Sequence, residues 1–215
     1  ISMRDQLTVQ GPGIDEALDQ ALSLDPGLVV LADSADNPGG GAAGDSTFIL
    51  RRLIERGVTN AAVGPLWDPQ AVRIAFDAGV GARLPLRIGG KVGPMSGAPL
   101  DALITVKALV QKLPMTGLAG TVQSLGDSAL VDIGGIEVVL ISRRSQAMGT
   151  DLFTGIGCDL ASKRLVVVKS SQHFRAAFAP LASQIFYVSA PGSVTADLQQ
   201  LPYRHIRRPL WPIDR

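Results

Sequence analysis

Leu28-Val29-Val30-Leu31-Ala32-Asp33 is a continuous apolar run closed by a carboxylate. A run of this kind fits a strand covered on both faces, the usual state of strands in a parallel sheet. Asp33-Ser34-Ala35-Asp36-Asn37-Pro38-Gly39-Gly40-Gly41-Ala42-Ala43-Gly44-Asp45-Ser46-Thr47 follows it. Apolar spacing then predicts a helix over 47–56, with Phe48, Leu50, Leu53 and Ile54 as its stripe. Asp45 or Ser46 is placed to cap that helix, and Gly57 to end it. Upstream, a helix is predicted over 13–24, with Ile14, Ala17, Leu18, Ala21 and Leu22 on one face. Asp25-Pro26-Gly27 breaks it before the apolar run.

A second unit of the same type follows. Residues 60–64 form a small apolar strand, and Asp68-Pro69 opens a helix that stops at Gly79. Beyond Arg83 the pattern changes. Strands are expected over 84–88, 103–111, 120–124, 128–133 and 137–142, an antiparallel meander with Gly-, Pro- and Asp-rich breaks. Near the end come a short helix over 151–154, the apolar strand Leu165-Val166-Val167-Val168, a helix over 174–181 and a strand over 184–189. The expected class is therefore α/β, α+β in part. A mixed sheet has helices flanking it at the two ends of the chain and an antiparallel β-rich middle. One domain over 1–215 is expected, with a possible β-rich subdomain over 84–145.

Composition limits what the chain does. Lys and Arg number 20 against 19 Asp and Glu, so no charge excess calls for nucleic acid or an anionic membrane. No run of eighteen apolar residues predicts a membrane-spanning helix. The N-terminus, Ile1-Ser2-Met3-Arg4-Asp5, has no signal-peptide pattern, and Ile1 suggests a piece of a longer polypeptide. Cys158 is the only cysteine, which excludes an internal disulfide and a cysteine-rich metal site. A small apolar role is favoured for it over a nucleophile, and a cytoplasmic location is expected. The C-terminal Leu201-Pro202-Tyr203-Arg204-His205-Ile206-Arg207-Arg208-Pro209-Leu210-Trp211-Pro212 cannot be a long helix. An extended segment packing Tyr203, Leu210 and Trp211 on the body is expected there.

The chemistry concentrates after the two apolar strands. In open α/β sheets the crevice past the strand ends is where ligands bind. Gly39, Gly40 and Gly41 let the backbone approach a ligand, and their amides can form an anion-binding concavity. Asp33 and Asp36 beside them can accept backbone hydrogen bonds, hold a cation or meet a substrate amine. A surface loop whose aspartates cap and turn fits the same residues. The stretch is neither a Walker loop nor a dinucleotide fingerprint. Lys169-Ser170-Ser171-Gln172-His173-Phe174-Arg175 follows the second apolar strand. If the two strands are parallel neighbours, His173 and Arg175 approach the first loop, with His173 as acid, base or ligand, or as a packed structural residue. Arg143-Arg144-Ser145-Gln146, at a strand end, offers partners for the aspartates or a carboxylate, or forms a solvated hairpin end. With only His173 and His205, and no His-Glu-x-x-His helix, a metal site within this chain is not expected.

These stretches resemble a known family. Asp33 through Gly41, Val166 through Phe178, Ala190-Pro191-Gly192, and the tail from Asp197-Leu198 through Leu201-Pro202-Tyr203 to Arg207-Arg208-Pro209 look like the C-terminal domain of the MlrC-like, microcystinase C type metallopeptidases. They occur in the family's order across nearly the whole chain. The resemblance implies a zinc site carried by an N-terminal domain absent from this chain, and peptide hydrolysis of the kind that degrades linearised microcystin. It also implies that the C-terminal domain helps shape the substrate pocket.

The expected function is thus that of the C-terminal domain of a zinc-dependent peptidase- or amidase-type hydrolase, inactive alone. Its candidate substrate-binding residues are Asp33, Asp36, Asn37, Gly39, Gly40, Gly41, Gln146, His173 and Arg175. Asn37 and the glycine amides would hold a carboxylate or oxyanion, and His173 and Arg175 would orient substrate. The expected partners are the N-terminal metal-binding domain and a small peptide or amide, with a homo-oligomer possible. The alternatives are a non-catalytic anion- or small-molecule-binding module using the glycine-rich loop, and an assembly domain.

Overall fold

The computed structural model describes residues 11–24 and 27–214. The expectations for Ile1–Asp5 and for the Asp25-Pro26 break lie outside the described residues. In chain order the elements are α1 (Ile14–Ser23), β1 (Leu28–Asp33), α2 (Phe48–Glu55), β2 (Ala61–Trp67), α3 (Pro69–Ala78), β3 (Arg83–Ile88), β4 (Leu100–Val110), β5 (Pro114–Thr116), β6 (Val122–Ser124), β7 (Ser128–Ile133), β8 (Ile136–Ile141), α4 (Asp151–Thr154), β9 (Leu165–Val168), α5 (Arg175–Phe178) and β10 (Ala182–Val188).

An eight-stranded sheet runs β10-β1-β9-β2-β8-β7-β4-β3. From β10 to β8 neighbouring strands are parallel. From β8 to β3 they are antiparallel. The fold is α/β with a mixed sheet and an antiparallel middle section, as the patterning predicts.

Alternation explains why β1 is apolar from Leu28 to Ala32. Val29 and Leu31 face one core, together with Ala17 and Leu18 of α1, Ile49, Leu50 and Leu53 of α2, and Ala71 and Val72 of α3. Leu28, Val30 and Ala32 face a second core built from Leu113 and Met115, Leu152 and Phe153, and Phe174 and Phe178. Successive side chains point to opposite faces, so a strand layered on both sides has no polar position. The second layer includes the two-stranded β5–β6 hairpin; β6 lies within the strand expected over 120–124, whereas the three residues of β5 are too short to announce themselves by periodicity.

Several local expectations are corrected. Neither Asp45 nor Ser46 caps α2. The Asp45 carboxylate instead accepts from the Lys91 amide at 2.7 Å and the Val92 amide at 3.0 Å. Thr47 occupies the cap position, but its hydroxyl donates to the Ala98 carbonyl at 2.8 Å instead of capping the helix. Ile49, not Phe48, joins Leu50 and Leu53 in the core. β2 continues through Pro65 to Trp67, and its register with β8 shifts between Val63 and Leu66; an irregularity of this kind is where a strand tolerates proline. α5 stops at Phe178: Ala179 still has helical dihedrals, but Pro180 has no amide hydrogen with which to continue the helix. In the tail, Tyr203 and Leu210 are exposed rather than packed on the body, and Trp211 is half-buried.

Candidate functional site

β1 and β9 are parallel neighbours with Ala32 opposite Val168, so the chain leaves both strands at the same edge of the sheet. The next residues, Asp33 and Lys169, are both buried. Lys169 Nζ lies 3.0 Å from Asp33 Oδ2, 2.8 Å from Asp36 Oδ2 and 2.8 Å from the Ser46 carbonyl oxygen. An ammonium has three protons, and here each has an acceptor. Burial pushes the Asp33 carboxyl above the usual carboxylate range, more strongly than Lys169 draws it down, and Asp36 adds to the rise. Burial acts to lower Lys169, but the charges and hydrogen bonds of the two aspartates outweigh it and hold the ammonium above its ordinary value. The ammonium between the two carboxylates thus stays charged, while burial works against the charged form of Asp33.

The same carboxylates shape the glycine-rich loop. Asp36 accepts from the Gly44 amide at 2.8 Å and the Ser46 amide at 2.7 Å. Asn37 Oδ1 accepts from the Gly39 amide at 2.9 Å, and Asn37 Nδ2 donates to Ser171 Oγ at 2.8 Å, a second tie between the two loops. The Gly40 and Gly41 amides donate to the carbonyls of Asn37 and Pro38. All three glycine amides therefore donate inside the loop, and none points out toward an anion. Gly41 has φ 100°, a backbone that only glycine adopts readily. Gly39 has a different reason to be glycine. A Cβ there would stand 2.5 Å from Gln146 Oε1.

Gln146 is the third component. The backbone places it: the Ala147 amide donates to the Lys169 carbonyl at 3.0 Å, and Arg144 donates to the Ala42 carbonyl at 2.8 Å. Gln146 Nε2 lies 2.8 Å from His173 Nδ1. An amide nitrogen can only donate, so this contact goes with the Nε2–H tautomer of the ring, and it leaves Gln146 Oε1 buried without a partner. The rim thus presents Gly39–Gly41, Gln146 and His173, with both the glycines and His173 exposed.

Of the residues singled out from sequence, Asn37, Gly39, Gln146 and His173 come together. Asp33 and Asp36 lie beneath them, buried against Lys169. Gly40 packs near Val194 and Gly41 is open. Arg175 turns to the flank, donating to Tyr187 Oη at 3.3 Å, and Tyr187 donates to Gln172. Lys169 and Ser171 organise the site and are not among the candidates that residue type and position single out in the sequence. The available signal was a lysine directly after four fully apolar positions.

No group of three or more His, Cys, Asp and Glu is placed to hold a metal ion among the described residues. Asp33 and Asp36 do not fit one, because the Lys169 ammonium occupies the cation position between them. His173 is engaged with Gln146, and His205 is exposed in the tail.

A family model described as MlrC C-terminus matches residues 31–205. Microcystinase C of Sphingomonas sp is 38% identical over 189 residues, which is 86% of this chain and 36% of that protein. A crystal structure from Mesorhizobium sp. BNC1, described as a "Putative metallopeptidase", superposes with a TM-score of 0.85 at 29% identity, covering 99% of this chain and 43% of that one. This chain therefore spans less than half the length of either relative. Both loops of the rim fall inside the matched residues, and the chain belongs to the MlrC C-terminal domain family.

Proposed function

We propose that this chain is the C-terminal domain of a zinc-dependent hydrolase of the peptidase or amidase type. Its rim shapes the substrate pocket beside a metal site held by another part of the polypeptide. One observation carries this reading. The loops near residues 40 and 173 leave adjacent parallel strands at one sheet edge and are locked together by Lys169. The relatives' greater length supplies room for a further domain.

The residues of this chain act on binding and orientation rather than on bond cleavage. His173 stands exposed at the rim with Gln146 behind it, Gln146 Oε1 being buried, whereas the loop amides are already engaged. That engagement also disfavours a free-standing anion-binding module. Peptide hydrolysis by this chain with added zinc, measured beside the longer polypeptide, tests the reading. Turnover is expected from the longer polypeptide alone; robust hydrolysis by this chain would overturn the assignment.

A further inference from the structure

A groove of ≈ 380 Å³ opens beside the rim, between the β5–β6 hairpin and α5. This lies at the lower end of the roughly 300–1,000 Å³ typical of small-ligand sites. Leu118 on the hairpin, Met148, and Ala176 with Ala177 on α5 supply its apolar lining. Asp151 is the one carboxylate among the lining residues, and it is already committed. Its Oδ2 accepts from the Thr116 amide and from Thr116 Oγ1, both at 2.7 Å. Its Oδ1 is buried without a hydrogen-bond partner, close to where a Cβ on Gly149 would stand. One carboxylate oxygen is taken up by the hairpin and the other is out of reach of solvent, so the lining open to a ligand side chain is mostly apolar.

His173 lines this groove and also bonds Gln146 at the rim. With Gln146 on Nδ1, the ring keeps Nε2–H as a donor. An exposed imidazole lining an apolar groove can supply a donor to a carbonyl oxygen next to an uncharged side chain. We infer that this groove is the subsite for an uncharged apolar side chain of a short peptide or acyl-amide substrate. His173 Nε2–H hydrogen-bonds the adjoining carbonyl, and Gln146 fixes the imidazole tautomer. The inference rests on the peptidase or amidase reading above and names the part of the substrate that this domain selects.

Titration of this chain with N-acetyl-leucine amide, followed by NMR of the His173 imidazole nitrogens and the Met148 methyl, tests it. Such a small probe is expected to bind weakly, on the order of millimolar. Saturable shifts at both residues are expected, with little response to N-acetyl-glutamate amide. Leu118→Asp, at an exposed position on the hairpin, and Ala176→Trp, which fills the groove from exposed α5, should each weaken binding at least tenfold. Absence of saturable shifts overturns the subsite, as does equal binding by both variants or by the charged probe. The two proposals separate cleanly. If the longer polypeptide hydrolyses no peptide while the probe still binds here, the enzymatic reading fails and the groove stands. If it hydrolyses peptides but Leu118→Asp leaves KM for leucine-containing ones unchanged, the groove is not the subsite.

Discussion

Lys169 Nζ and Asp33 Oδ2 lie 3.0 Å apart, although 136 residues separate them in the chain. Each follows the last pair of the β1–β9 ladder, Ala32 opposite Val168, and each is almost wholly removed from solvent. The pair closes the floor of the rim. On this floor rest the glycine-rich loop, through Asp36 and Ser46, and the Gln146 segment, through the Lys169 carbonyl.

Lys169→Met removes the ammonium and leaves two buried carboxylates facing each other. Breaking a buried ion pair from one side costs about 3–5 kcal/mol. Urea denaturation should show a loss of this size. Lys169→Met combined with Asp33→Asn and Asp36→Asn should recover part of it, because no uncompensated charge remains. A Lys169→Met chain as stable as the parent contradicts the described burial.

The alkaline limb of stability should carry the Lys169 signature. Its folded value is raised above 10.5, the value expected for the unfolded chain. Between those values the folded state holds the proton and the unfolded state does not, so stability declines as pH rises. The stabilisation is complete below 10.5 and disappears as pH passes the folded value. Comparing denaturation midpoints of the parent and Lys169→Met across this range isolates the contribution; parallel curves would exclude it.

Gly39→Ala should perturb the rim while sparing the fold. The added methyl meets the end of the Gln146 side chain, which can swing away, rather than fixed backbone. The thermal midpoint should change little. The imidazole nitrogen shifts of His173 should report loss of the Gln146 bond and mixing of tautomers. Unchanged His173 shifts would mean that the contact does not set the ring.

Cys158 should behave as a packing residue. Burial pushes its thiol well above the ordinary cysteine range, and neighbouring Glu137 adds to the rise. A thiol held in its protonated form is a poor nucleophile. A disulfide reagent should label it only after unfolding; rapid labelling of the native chain would reinstate it as a reactive group.

The parallel half of the fold is legible in sequence because burial on both faces leaves a simple mark. Leu28–Asp33 and Leu165–Val168 coincide with the observed strands to the residue. Ser128–Ile133, and the short α4 at Asp151–Thr154, do so as well. Pro114–Thr116 escaped because three residues carry no period and proline reads as a break. The rim was only half legible. Its glycines, Gln146 and His173 stand out as residue types that carry chemistry. Lys169 does not, since a lysine at a strand end ordinarily lies in water, and only the return of β9 beside β1 supplies its partners. The uncapped start of α2 has the same origin: Asp45 finds the Lys91 and Val92 amides, which are remote in sequence.

Gln146→Ala in the longer polypeptide tests the central claim most directly, because Gln146 meets both loops without holding up the core. With steady-state peptide hydrolysis as the readout, kcat/KM should fall roughly tenfold, equivalent to about 1.4 kcal/mol, mainly through KM. The denaturation midpoint should stay at the parent value. Hydrolysis indistinguishable from the parent, by a variant whose Gln146 side chain is gone, would contradict the placement of the substrate pocket at this rim.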